Sequence, residues 1–534
     1  MPHNIEIPPK ISPHSPKLAE SPASYHQNKH FYRRYPAKFI QKKHFWTIMR
    51  ILPGILSILL VSVFAFADSS ATPTPNAATA DSVNKTSEIP EFTPRGPVGK
   101  KLPVIFPFTE IILQDIFVWG WDRYVLQKDY AKTGPSYWKR NYREGWKWDD
   151  NHFAINFFGH PYQGSMYYSS ARSAGYGFYE SYFFALTGSY IWEMFCETEY
   201  PAPNDLIATS VGGTIYGEML YRISSRVLAK PDAGILENLF GFAASPLAYI
   251  QEWFNGPSPT NPGYAPMEWS VLAGFGQRFG NEYRYDQDAD DRSNNDWNSP
   301  SVSYGLELVY GLPNRKIRQP FEYFTFSFSQ DQSEDGMMMR VSSVGKLANM
   351  NLHANSENWI DLGTYLHFDT FYGDLVEMSA LSIGLGADVS VNLSEKFHFR
   401  MSHMPSYILL GSSDFNYDEV LAKSDSTYQK TRDYQYSLGF NYKASIELTF
   451  ANRIRFFNYI SAFLFRSWPN TEPHYGTNGY DFVIFNNAGL ELALPKDFAV
   501  GLRLNSYAKI AAYERVEPMS RTMHAVGAYV RYKI

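Results

Sequence analysis

The sequence predicts an α+β protein: a helical N-terminal module followed by a C-terminal antiparallel transmembrane β-barrel of about twelve strands. Three observations carry this expectation. From residue 257 to Ile534, short segments alternate apolar and polar residues, the signature of strands with two unlike faces. The chain holds 39 Tyr, 39 Phe and 12 Trp, a content that suits the aromatic girdles of a membrane barrel. Between Leu102 and Gly256 the apolar spacing changes from period two to that of helices.

At the N-terminus, residues 1–48 are rich in Pro, His, Lys and Arg and read as an over-called start or an extension. Lys42, Lys43 and Arg50, the apolar run Ile51 to Phe66 and the small-x-small triplet Ala65-Phe66-Ala67 read as a signal peptide over 49–67. Initiation is expected at Met49 and cleavage after Ala67. Residues 68–100 are rich in Ser, Thr, Ala and Pro and read as a flexible linker. With a single cysteine, Cys196, neither an intramolecular disulfide nor a cysteine metal cluster can form, and Cys196 is expected to be a small buried residue.

The helical module is assigned to 101–256, with helices over Phe106–Gln127, Gly164–Glu199, Asp205–Ala229 and Ile235–Trp253 and an N-cap at Asn204 or Asp205. Runs such as Tyr182-Phe183-Phe184-Ala185-Leu186 are too continuously apolar for a helix facing water.

The barrel is assigned to 257–534. Its strands are expected near 267–278, 301–312, 320–330, 336–353, 359–371, 379–392, 397–411, 434–449, 453–466, 481–494, 497–510 and 522–534. In the segment Phe498 to Ile510, Phe498, Val500, Leu502, Leu504, Ala508 and Ile510 share one face, while Arg503, Asn505 and Lys509 occupy the other. Small and charged residues on the second face predict a wet lumen, with Glu491, Arg503, Arg531, His367 and Asp369 pointing inward. Segments 284–300 and 412–433, rich in Asp, Asn and Ser, read as external loops, and Pro495-Lys496 as a short periplasmic turn. The protein is therefore expected in the outer membrane of a Gram-negative-type bacterium. Its expected partners are outer-membrane lipid and the barrel assembly machinery. A net charge of −5 gives no reason to expect nucleic acid.

The densest polar constellation lies in the helical module. It includes Asp149, His152, Asn156, His160, Arg172, Glu193, Glu197, Asn204, Asp205, Glu218 and Arg222. Here the chain resembles the bacterial family called domain of unknown function 3943, over about residues 100–250. The resemblance rests on an Asn-x-x-x-His-Pro-x-x-Gly-x-x-Tyr element at Asn156 to Tyr167, a Trp-Glu-x-x-x-Glu element at Trp192 to Glu197, and an Asp-x-Ile…Gly-Gly…Gly-Glu element at Asp205 to Glu218. It implies no particular activity.

Read from the residues alone, Glu193 and Glu197 stand one helical turn apart, an unfavourable like-charge pair unless a cation or proton joins them. His160, Arg172 and Arg222 are candidates for that role. Three readings stay open. One is a catalytic site formed from His160, Glu193, Glu197, Asp205, Glu218 and Arg172. Another is a divalent metal at Glu193, Glu197, His160 and Asp205, the one cofactor considered. The third is a buried ion network orienting close-packed helices, with Gly212, Gly213 and Gly217 allowing their approach. For the whole chain, the expectation is a barrel with a module that plugs, caps or packs against it, serving envelope structure, transport or docking. The alternative is an outer-membrane enzyme acting on lipid or cell-wall components.

Overall fold

The computed structural model describes residues 99–230, 232–262, 265–285, 292–354, 358–415, 432–472, 477–514 and 518–534. The extension, the signal peptide and nearly all of the linker lie outside the described residues, as does most of the 412–433 segment.

Among the described residues, eight helices precede the barrel: α1 Ile105–Gly120, α2 Pro135–Glu144, α3 His160–Ser173, α4 Phe178–Ile191, α5 Pro203–Ile207, α6 Gly213–Ala229, α7 Ile235–Ala244 and α8 Pro246–Asn255. Five-residue π turns at Trp121–Val125, Ile155–Gly159, Trp192–Cys196 and Ala208–Gly212 extend or join them. The single helix expected over Gly164–Glu199 is two helices, because the chain reverses at Gly175, whose φ of +91° ends α3. The Ile235–Trp253 helix is likewise divided at Ser245-Pro246, where Pro begins α8. Cys196 is half-buried rather than buried.

Twelve antiparallel strands then close on themselves: β1 Met267–Tyr285, β2 Arg292–Tyr310, β3 Phe324–Ser333, β4 Gly336–Ala354, β5 Trp359–Gly373, β6 Met378–Ser394, β7 Phe397–Asp414, β8 Tyr434–Phe450, β9 Ile454–Ser467, β10 Gly479–Ala493, β11 Phe498–Tyr513 and β12 Met519–Lys533. The closure is β1 against β12, from Ser270↔Lys533 to Arg284↔Met519. The external loop expected over 284–300 is instead largely strand. β1 runs to Tyr285 and β2 starts at Arg292, so paired backbone continues where the apolar alternation has stopped.

The outward face is apolar. Phe275, Val302, Leu385, Phe440, Leu464, Leu490, Leu502, Ile510 and Val526 are all exposed. In water such a belt would be a severe liability, and in a bilayer it is the lipid contact. The barrel is transmembrane. Among the described residues no helix is long and apolar enough to cross a membrane. Replacing Leu502, which is 62% exposed on this belt, by Arg is expected to cost roughly 2–4 kcal/mol for a site near the bilayer midplane. Reversible unfolding from lipid vesicles measures it, and a cost near zero would place this face outside the hydrocarbon.

The inward face departs from the expected wet lumen. Glu491, Arg503, Arg531, His367 and Asp369 do point inward, but the inward charges pair with one another, between strands from one to four places apart. Lys346 meets Asp361 at 2.6 Å, Lys443 meets Asp369 at 2.8 Å, Lys509 meets Asp414 at 2.9 Å and Arg278 meets Asp331 at 3.0 Å. Arg531 Nε donates to Glu491 Oε2 at 2.9 Å. His367 lies 3.2 Å from Ser406 Oγ. An apolar layer crosses the lumen: Phe371 of β5 stacks on Phe485 of β10 with ring centroids 3.6 Å apart, backed by Phe463, Tyr507 and Met523. β5 and β10 lie five strands apart one way and seven the other, so this stack bridges nearly opposite walls.

The helical module sits on the outer wall rather than in the lumen. Strand residues that share the outward face are buried by it. Phe240 packs edge-on to Trp269 of β1, Tyr216 lies over Phe368 of β5, and Phe153 stacks on Tyr372 of β5. Trp148 lies 4.9 Å from Tyr436 of β8, and Phe157 is edge-on to Tyr434 at 5.9 Å. Leu308, Tyr310 and Phe324 complete the seat on β2 and β3. The helices thus replace lipid along the barrel wall from β1 to β8.

Candidate functional site

Two polar clusters occupy the interior of the module, and they divide the residues that the sequence had grouped together.

The first is an ion triad. α3 and α6 cross at glycines, bringing Arg172 of α3 against Glu218 of α6. Arg172 forks onto the carboxylate, Nε to Oε2 at 2.7 Å and Nη2 to Oε1 at 3.0 Å. Arg222, one turn along α6, donates Nε to Oε1 at 2.7 Å, and Tyr168 donates its hydroxyl to Oε2 at 2.7 Å. All four side chains are buried. Burial alone would raise the Glu218 pKa, but the two guanidinium groups outweigh it and hold the carboxyl below its usual value. Arg222 also donates Nη2 to the Pro320 carbonyl at 2.8 Å, which ties the triad to the β2–β3 connection. This is the arrangement of a structural network.

The second cluster is acidic and contains no arginine or lysine partner among the contacts described for it. Three of the π turns surround it: His160 follows the turn Ile155–Gly159, Glu193 lies in Trp192–Cys196, and Thr209 lies in Ala208–Gly212. Such turns often occur at functional sites because they re-aim side chains out of helical register. His160 Nε2 is 3.4 Å from Asp205 Oδ1, and its Nδ1 is 3.2 Å from Thr209 Oγ1. Glu193 accepts the Ala202 amide through Oε2 at 2.9 Å, and its carboxyl pairs with that of Glu197. Asn204 Nδ2 bridges Asp205 Oδ1 and Asp149 Oδ1, both at 2.7 Å. Asn204 therefore serves this network, rather than capping a helix.

His160, Glu193, Glu197 and Asp205 are buried, and Asp149 is half-buried. Burial raises the Glu193 carboxyl well above its ordinary pKa, and the neighbouring Glu197 adds to the shift. Glu197 is itself pushed up to about 8 by burial and by Asp149. Asp205 is raised by burial, then by Asp149 and Glu193. His160 is lowered to about 4 by burial, so the imidazole is neutral. Among the described residues no arginine or lysine pairs directly with these four carboxyls and the neutral imidazole, and protons or a bound cation can balance such a group.

Of the candidates, the structure joins His160, Glu193, Glu197 and Asp205, and it places Arg172 and Glu218 in the separate triad. Sequence reasoning placed Asp149 and Asn204 in the polar constellation but not among the candidate site residues, and it passed over Thr209. It also missed Tyr434 and Tyr436 of β8, whose hydroxyls accept from Asn156 Nδ2 at 2.8 and 2.6 Å. The Tyr436 hydroxyl also donates to Asp149. The barrel wall thus reaches the edge of the cluster.

No curated protein matches the chain. Among solved structures it is similar to the KdgM porin at 10% identity and a TM-score of 0.20, covering 48% of this chain and 98% of that one. It is similar to the COG4313 outer membrane channel from Pseudomonas putida F1 at 8% identity and a TM-score of 0.27, covering 50% and 96%. For the Pseudomonas putida toluene transporter TodX the values are 10% and 0.20, with 51% and 90% covered. Residues 145–247, which contain both polar clusters, match the family model described as Domain of unknown function (DUF3943), as the motifs at Asn156, Trp192 and Asp205 had indicated.

Proposed function

We propose that this is an outer-membrane protein whose closed barrel serves as a membrane seat for the helical module, with a role in envelope structure or docking rather than in conduction. The observation that carries this reading is the joint arrangement of lumen and module. The lumen is crossed by the Phe371–Phe485 stack and lined by paired charges, while the module is packed on the outside. A closed antiparallel barrel with an apolar outer belt and a polar inner face is the outer-membrane type. The module's outer surface supports a lipid setting: Leu113, Phe117, Tyr124, Phe183, Leu239 and Trp253 are all exposed. Patches of that kind mark membrane or protein contact. Outer-membrane lipid is accordingly its main partner, and the segment 49–67 is its export signal.

Planar-bilayer recording of the purified protein tests the reading. No stepwise current is expected from the wild type, and Phe371→Ala combined with Phe485→Ala is expected to leak. Sustained open-channel current through the wild type would overturn a closed seat.

A further inference from the structure

We propose that His160, Glu193 and Asp205 bind a divalent transition-metal ion, with Zn²⁺ as the best match, inside the helical module. Each offers one donor atom, and the three donors lie within 4.8 Å of one another. Donors around a tetrahedral zinc with bonds of roughly 2 Å stand about 3.3 Å apart. The His160–Asp205 pair already stands at 3.4 Å. A small inward movement of Glu193 completes the triangle.

An independent observation points to a ligand here. Glu193 is 0% exposed; its Oε2 is anchored on the Ala202 amide, Oε1 meets no backbone or neutral donor, and the side chain's other hydrogen-bonding neighbour is the Glu197 carboxyl. Two carboxyls buried side by side are costly unless a shared proton or a cation joins them. A metal ion at Glu193 Oε1 removes the cost.

The surrounding shell also has the form of a metal site. The Nδ1 contact with Thr209 Oγ1 orients the imidazole and leaves Nε2 toward Asp205, as outer-shell partners of ligating histidines do. Asn204 orients Asp205 through its Oδ1. Glu197 and Asp149 stand close by, so the site carries excess negative charge for a dication. One imidazole and two carboxylates favour zinc or manganese over calcium or magnesium, whose sites are built from oxygen donors alone. Three protein donors leave a fourth position open, the pattern of zinc sites that take an exogenous ligand. The proposal does not depend on whether the barrel conducts.

The test uses the full chain purified from membranes in detergent, stripped with a chelator and dialysed against ZnCl₂ or MnCl₂. Close to one equivalent of zinc per chain is expected at low-micromolar free metal, with a rise in melting temperature that the chelator reverses. His160→Gln and Asp205→Asn are each expected to weaken binding at least tenfold. Failure of the wild type to bind zinc or manganese at tens of micromolar overturns the site, whatever the variants do. Equal binding by a folded His160→Gln protein overturns it also, because the ion then lies elsewhere.

Discussion

Glu218→Gln is expected to unfold the helical module while leaving the barrel closed. The substitution keeps the side chain's shape and removes the carboxylate that faces two buried guanidinium groups, those of Arg172 and Arg222. Removing one partner of a buried ion pair costs roughly 3–5 kcal/mol, because the remaining charge is stranded away from water. Two arginines are stranded here, which puts the cost at the upper end. Whole domains are commonly stable by only about 5–15 kcal/mol. Circular dichroism melting of the full chain in detergent should show an early loss of helical signal. The heat-modifiable shift of the barrel on a gel should persist. Arg172→Lys keeps the charge but loses the two-pronged contact, and should fall between the wild type and Glu218→Gln. A Glu218→Gln protein that melts within a degree of the wild type would show that the triad contributes little to holding the module.

Gly164→Ala is the second substitution with a large expected effect. A Cβ on Gly164 would stand 1.8 Å from the Thr209 carbonyl oxygen, and one on Gly213 would stand 2.5 Å from the backbone of Gly164. Backbone cannot swing aside as a side chain can, so α3 must move away from the Ala208–Gly212 turn and α6. Ordinary overpacking costs about 1–3 kcal/mol, and a backbone-on-backbone clash should reach or exceed the top of that range. The effect should also reach the acidic cluster, since Thr209 holds His160 Nδ1. Gly120→Ala, at the end of α1, is the control: a Cβ there would meet nothing within 4 Å. Chemical denaturation of the two variants side by side should rank Gly164→Ala as clearly the more damaging. Equal stabilities would mean that the helices are not held at the contact seen here.

Much of the barrel was legible because lipid enforces the period-two pattern residue by residue. Ile360, Leu362 and Leu366 face out, and Asp361, His367 and Asp369 face in, as their alternation indicated. The pattern stops where strands leave the hydrocarbon, and for that reason the ends of β1 and β2 passed for a loop. α2 was missed for a related reason. Its sequence Pro-Ser-Tyr-Trp-Lys-Arg-Asn-Tyr-Arg-Glu is short and mostly polar, with only Tyr137, Trp138 and Tyr142 to mark a face, and its clearest local signal was Pro135 at the first turn after Gly134.

The site was half legible. Glu193 and Glu197 announced themselves by their spacing, and His160 and Asp205 by the family motifs. What the sequence could not separate was which acids meet arginines. Arg172 and Arg222 looked equally available to Glu193 and Glu218. The choice is made by the glycine contact between α3 and α6, a three-dimensional fact. Nor does any local pattern reveal that Asn156 meets Tyr436, which lies 280 positions further along the chain.

That last contact bears on how the molecule is made. The module precedes the barrel in the chain, yet part of its seat is Tyr434 and Tyr436 of β8, and its glycine-packed helices present large apolar faces until that seat exists. β1 has a still longer wait, since Ser270 pairs with Lys533 at the far end of the chain. Contacts so distant in sequence form slowly, because the chain must close a large loop before they stabilise anything. The module's apolar faces are therefore covered only once the barrel's middle strands are in place, so its completion follows the barrel's closure rather than the formation of its own helices.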